Sequence, residues 1–193
     1  MRPARCRCVV ELRLNVAEMA PDMSIFTRLF APKPDPREAL RPLWNAVVAE
    51  ARRPLWYADG GVADTVSGRF DMVCAALATV LLRMERDAGL ERESVMLTEL
   101  FVRDMDGQLR EFGVGDVIVG KRVGKLVGAM GGRLGAYREG LAGDDAELAE
   151  TVRRNITLLD NADPALIANG LRALATRLDM TADPALLAGE IAA

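Results

Sequence analysis

The residues of this chain best suited to chemistry are carboxylates on a helical segment. Asp104, Met105, Asp106 and Gly107 follow an apolar run, and an Asp-x-Asp so placed is one way to present a nucleophile for magnesium-dependent phosphoryl transfer, with Asp144 and Asp145 as a later metal pair. Such chemistry needs a strand entering the first Asp, a Thr after the Gly and a parallel sheet beneath. Gln108 stands where the Thr belongs and both flanks are helical. A calcium loop fails as well, because Leu109 occupies its glycine position and Gly115 its bidentate glutamate position. The plain alternative is that Asp106 with Arg110 and Glu99 with Arg103 form pairs four residues apart, each worth only about 0.2–0.5 kcal/mol.

Nothing else nominates a nucleophile with its base. There is no histidine among the 193 residues, so Ser/His and Cys/His catalysis are excluded and the commonest metal ligand is missing. Of the three cysteines, Cys6 and Cys8 have no second pair or histidine to complete a zinc site, and Cys74 lies in an apolar run where it reads as a small core residue. An odd, unpatterned cysteine count points to a reducing compartment. Gly113-Val114-Gly115-Asp116 lacks the spacing and the Lys-Ser/Thr ending of a phosphate loop. The residues alone therefore lead no further than a helical cytosolic interaction module, with no catalytic residue, no metal and no cofactor nominated.

The elements that would position these residues are helices. Leu97, Phe101, Met105, Leu109 and Phe112 recur at helical spacing over Arg92 to Phe112, Gly113 and Gly115 supply the left-handed turn that ends a helix, and Asp116 serves as N-cap of the next. That next helix, about Val117 to Leu141, has an apolar seam of Val119, Val123, Leu126, Met130, Leu134, Tyr137 and Leu141. Gly120, Gly124, Gly128 and Gly132 repeat every four residues along it, a side-chain-free groove of the kind that lets helices approach closely, while Lys121, Arg122, Lys125 and Arg133 forbid burial in lipid. The segment from Phe70 to Met84 carries Phe70, Val73, Cys74, Leu77, Val80, Leu81 and Met84 on one face and no charge from Met72 to Leu82, so it is the expected central helix.

Asp35 and Pro36 start a helix that should run to about Arg53. Asp163-Pro164 and Asp183-Pro184 read as two further Asp-cap, Pro-first starts. Between Arg52 and Asp71 the chain is rich in Gly, Asp, Ser and Thr yet holds Trp56 and Tyr57, a loop either plugged into the core or exposed for a partner. The expected fold is all-α: one bundle of roughly six to eight helices with few or no strands. Residues 1–34 are expected to form a leader and a short amphipathic segment, Ile25, Phe26, Leu29 and Phe30, and 35–193 the helical domain, with C-terminal helices over 144–193.

The net charge of −3 gives no overall pull toward nucleic acid, and no nucleic acid sequence recognition is expected. Charge is nevertheless uneven, with five basic and no acidic residues between Val117 and Arg138 but nine acids against four bases over 144–193. No apolar run is long enough to span a bilayer.

Two blocks of residues in order carry a resemblance. The first is Pro54, Trp56, Tyr57, Gly61, Val62, Asp64, Thr65, Gly68, Arg69, Phe70 and Asp71; the second is Leu100, Phe101, Asp104, Met105, Asp106, Leu109, Arg110, Glu111, Gly113, Val114, Gly115, Asp116 and Lys121. Together, over roughly residues 40–141, they resemble the ubiquinol-cytochrome c chaperone family, assembly factors of the cytochrome bc1 complex. The resemblance implies an all-helical, non-enzymatic chaperone that binds newly made cytochrome b at the inner face of the energy-transducing membrane. Here that means a bacterial protein peripheral to the cytoplasmic membrane, or one on the matrix side of a mitochondrion. It also implies contact with the ribosome or an anionic membrane surface, and with a second assembly factor. The residues expected to face the client are Trp56, Tyr57, Asp64, Arg69, Asp104, Asp106, Arg110, Glu111 and Asp116. Those expected to dock on membrane or ribosome are Lys121, Arg122, Lys125 and Arg133. The glycines at 124, 128 and 132 depart from the charged or bulky residues expected of that helix in the family.

Overall fold

The computed structural model of the chain describes residues 35–111 and 116–191, apart from the side chains of 109–111, 116–123 and 126. The leader with Cys6 and Cys8, the amphipathic segment before Asp35 and the glycine corner at Gly113 and Gly115 lie outside the described residues.

Asp35 begins the described chain as a cap, its carboxylate accepting the Arg37 N–H at 3.0 Å. Pro36 follows in the first turn, but the helix expected here is divided. A 3-10 turn over Pro36–Leu40 precedes α1, Arg41–Ala51. Pro42 is the physical reason, since it has no N–H to offer the Glu38 carbonyl, and that carbonyl takes the Arg41 N–H instead. After α1 the supposed loop forms one wide turn, Leu55–Asp59, closed by the Gly60 N–H on the Leu55 carbonyl at 2.9 Å. The turn swings Trp56 inward, and of the two readings of this aromatic pair the core wins for Trp56.

The chain then runs through Gly61, in the left-handed region at φ +74°, to a single antiparallel bridge between Val62 and Leu158. Thr65 caps α2, Val66–Met84, by accepting the Gly68 N–H at 3.2 Å. As its charge-free face requires, α2 is the central helix: Met72 and every residue from Cys74 to Leu81 are buried. It packs against α1, α4 and α6. Burial pushes the Cys74 thiol up to about 12.

A 3-10 turn at Ala88–Leu90 leads into α3, Glu91–Glu111, whose Leu97, Leu100 and Phe101 are buried. In α4, Asp116–Ala142, Met130 and Tyr137 are buried and Leu134 and Leu141 lie partly buried against the core, so the seam holds over the half where side chains are described. Among the described residues nothing packs into the glycine row at Gly124, Gly128 and Gly132. A Cβ added at Gly124, Gly128, Gly131, Gly132 or Gly135 would meet nothing within 4 Å.

α5, Asp145–Asn155, opens on a full capping box between Asp144 and Glu147. α6, Pro164–Asp179, is capped by Asp163 through the Ala165 N–H at 3.0 Å. The second Asp-Pro start differs: α7, Asp183–Leu187, has Ala182 at its cap position, and Asp183 pairs instead with Arg83 of α2 at 2.7 Å. The fold is all-α, with seven α-helices and no strand beyond the single bridge among the described residues. No described helix is long and apolar enough to cross a membrane.

Candidate interaction surface

Asp104 sits on α3 and faces α1. Its carboxylate accepts the indole N–H of buried Trp44 and the Arg41 guanidinium, the latter at 3.1 Å. Arg103, beside it, reaches back to Asp35 at 2.9 Å and to Glu38. Glu99, expected to pair with Arg103, meets Arg37 at 3.6 Å. These pairs clamp the first turn and the start of α1 onto α3. Hydrogen bonding to Arg37 and Arg41 holds the Asp35 and Glu38 carboxyls, respectively, down to about 2.

Trp56 is likewise spent on the fold. Its indole N–H donates to the Glu50 carbonyl at 2.7 Å, and its ring lies so close to α6 that a Cβ on Gly170 would fall 2.5 Å from it. Trp56 therefore packs on α6 and Asp104 on α1. The Trp56 ring is buried and its N–H satisfied, whereas Asp104, satisfied by Trp44 and Arg41, keeps 31% of its side chain exposed.

The exposed members of the expected set gather around Tyr57. Its hydroxyl donates to the Ala51 carbonyl at 2.9 Å, its ring is half-buried, and burial raises its pKa, with Arg69 and Asp64 near enough to act on it electrostatically. Asp64 and Arg69 pair with each other at side-chain exposures of 60% and 64%. An ion pair that exposed contributes little to stability, so its geometry is available for recognition. Asp106 is half-buried on α3, while the side chains of Arg110, Glu111 and Asp116 lie outside the described residues.

Of the basic set, Lys125 is exposed and Lys121 and Arg122 are outside the described side chains. Arg133 turns inward, with 21% of its side chain exposed. It donates to Asp71 at 2.7 Å and lies 5.5 Å over the Phe70 ring. The other Asp71 oxygen takes the Thr157 N–H at 3.0 Å and its hydroxyl at 2.7 Å. This link from α2 to α4 and to the segment before α6 went unread in the sequence. The signal was present, for Asp71 is a carboxylate at the very edge of the charge-free stretch Met72 to Leu82 and needs a cation beside it. Glu50, joined to Arg53 and Arg177 at 2.9 Å each, is a second such case.

A cleft of about 540 Å³ opens between α2, α4 and α6, floored by Leu82, Leu141 and Ala175. Its arginines are engaged: Arg138 with Glu85 at 2.7 Å, Arg86 with Asp179 at 2.8 Å, and Arg172 with the Leu141 and Gly143 carbonyls at 3.1 Å. Asp144 is a helix cap and Asp145 pairs with Arg172 at 3.0 Å. Among the described residues no three potential metal ligands come together.

Fold and surface thus define an all-α bundle in which Asp104, Asp71 and Glu50 lock helix to helix, while among the described client-facing candidates Asp64 and Arg69 stand in solvent beside half-buried Tyr57. Residues 58–193 match the ubiquinol-cytochrome C chaperone family, and the chain belongs to that family. The match starts later than the blocks read in the sequence and continues through the C-terminal helices, which are therefore part of the family domain. The crystal structure of the Cbp3 homolog from Brucella abortus is similar at a TM-score of 0.70 and 33% identity, over 80% of this chain and 88% of that one. No curated protein matches.

Proposed function

We propose that the chain is an assembly chaperone of the cytochrome bc1 complex that binds newly made cytochrome b and holds it until the remaining subunits join, without catalysing a reaction. The observation that carries this is the family match over residues 58–193, supported by the 33% identity to the Cbp3 homolog. A client with apolar membrane segments needs a helical surface with polar residues fixing register at its rim. Tyr57, Asp64 and Arg69 supply such a rim. The stretch of α4 from Gly124 to Gly132, where Met130 alone is buried among the side chains described, supplies helical surface. The protein would work peripheral to the inner face of the membrane, with a second assembly factor as a further partner.

The test is a gene deletion in the source cell read by reduced-minus-oxidised haem spectra, with complementation by Asp64→Ala/Arg69→Ala and by Asp106→Ala/Arg110→Ala. Loss of b-type haem absorbance on deletion, unrestored by soluble and folded variants, is the expected outcome. Undiminished cytochrome b in the deletion strain would sink the proposal.

The exposure of Lys125 favours a second reading, docking on an anionic membrane or the ribosome through Lys121, Arg122 and Lys125. Arg133, held by Asp71, is left out of it. Salt-sensitive co-sedimentation with anionic vesicles or ribosomes would support this reading, and none at low salt would end it.

A further inference from the structure

Three segments that each carry an exposed leucine meet at one turn. Leu55 is 41% exposed, Leu159 49% and Leu166 52%. A Cβ on Gly60 would lie 3.4 Å from the Leu55 carbonyl and 2.9 Å from the side chain of Ile167, the residue after Leu166. The Leu159 N–H donates to the Gly61 carbonyl at 2.9 Å. Gly61 can lie this close to the neighbouring segment only without a side chain, since a Cβ there would sit 2.6 Å from that of Ala162. Exposed apolar residues scattered singly are ordinary. Here the glycine pair holds the Leu55–Asp59 turn, the segment after α5 and the first turn of α6 side by side, and each of the three segments exposes a leucine.

The rim of this junction is acidic. Asp59 closes the turn that holds Leu55, Asp160 follows Leu159, and Asp163 caps the helix that carries Leu166; all three are exposed. Asp163 is partly engaged as that cap, but among the described residues neither Asp59 nor Asp160 has a cationic partner. The nearest cation in sequence to Asp59, Arg53, is paired with Glu50 at 2.9 Å, and those nearest to Asp160, Arg154 and Arg153, are paired with Glu150 at 2.6 and 2.7 Å. The Val62–Leu158 bridge is a single pair, so the region offers no sheet edge on which an extended peptide could add.

We propose that this surface docks a basic amphipathic helix of a protein partner. Leu55, Leu159 and Leu166 receive the apolar face, and Asp59, Asp160 and Asp163 meet its lysines or arginines at the rim. The same acidic rim repels an anionic membrane. The inference does not depend on cytochrome b being the client.

The test uses the full chain and a labelled synthetic helical peptide with leucines on one face and lysines on the other, read by fluorescence anisotropy. Saturable, salt-sensitive binding is expected. Leu55→Asp/Leu159→Asp should weaken it by about tenfold or more, and Asp59→Asn/Asp160→Asn should weaken it and flatten its salt dependence. Val95→Asp, at an exposed site of α3, should leave it unchanged. Circular dichroism checks that each variant is folded. Should the leucine variant not fold, the Asp→Asn pair carries the test, since both sites are in solvent. The proposal is overturned if the patch variants bind as the wild type does, if a leucine/glutamate peptide binds equally well, or if Leu55 and Leu159 prove to be needed for binding phosphatidylglycerol vesicles.

Discussion

Replacing Asp104 by alanine separates a fold-bearing carboxylate from a client-facing one. In the wild type Asp104 accepts the indole N–H of Trp44, which is 2% exposed. With the carboxylate gone that donor has no partner, and leaving a buried donor unsatisfied costs about 1–3 kcal/mol. The Arg41 contact adds less, because both partners are about a third exposed at 28% and 31%, and such pairs contribute at most about 1 kcal/mol. Asp104→Ala should therefore destabilise the chain by roughly 2–3 kcal/mol. Asp104→Asn keeps an acceptor oxygen for Trp44 and should cost within about 1 kcal/mol. Urea unfolding followed by tryptophan fluorescence measures both, with a shifted midpoint at constant slope as the signature of a pure stability change. Asp104→Asn should also restore assembly of the bc1 complex in the deletion strain. A stability loss for Asp104→Ala of under about 0.5 kcal/mol, or loss of assembly by a fully stable Asp104→Asn, would refute the reasoning and return Asp104 to the client surface.

Two glycine substitutions should move stability in opposite directions. Gly68→Ala puts a Cβ 2.0 Å from the Ala63 carbonyl oxygen, so despite better helix propensity it should lower stability by at least about 2 kcal/mol. Gly128→Ala enters open space and should raise stability by about 0.8–1 kcal/mol, its propensity gain; thermal melts shifting the same way for both would be inconsistent with the packing described. The Cys74 thiol, buried and pushed up to about 12, should resist thiol reagents near pH 8 in the folded protein and react on unfolding, which a thiol titration with and without denaturant reads directly. Asp35 and Glu38, held down to about 2 by their arginine partners, give the first turn a hold that is complete above their ordinary carboxyl range and lost as pH falls from about 4.5 toward 2. Proteolysis near Pro36 should accelerate over that window, and an unchanged cleavage rate would contradict the clamp.

The central helix, its caps and the all-α class were legible before any coordinates, because period, capping chemistry and turn residues act within a few positions of the chain. Local reading failed where a partner arrives from far away. Pro42 divides the first helix by simple local chemistry and could have been read. That Asp183 would leave its cap position for Arg83, one hundred residues away, could not, because a carboxylate before proline satisfies the same local rule in either place. The glycine row of α4 looked like a packing face, yet no described neighbour approaches it; the pattern permits contact and cannot supply the opposing helix. Trp56 and Tyr57 looked alike in sequence, and only the π turn and Gly170 decide that one is core and the other half exposed.

The sequence by itself settled the helical class, the family resemblance and the exclusion of histidine chemistry. Each follows from residue identity and short-range spacing. Tertiary structure alone decided which carboxylates lock helices and which face solvent. Asp104, Asp71 and Asp64 are the same side chain under three environments, and their roles are set by whether Trp44, Arg133 or only water-exposed Arg69 stands across from them. The desolvation that separates a structural aspartate from an available one exists only after distant segments have packed.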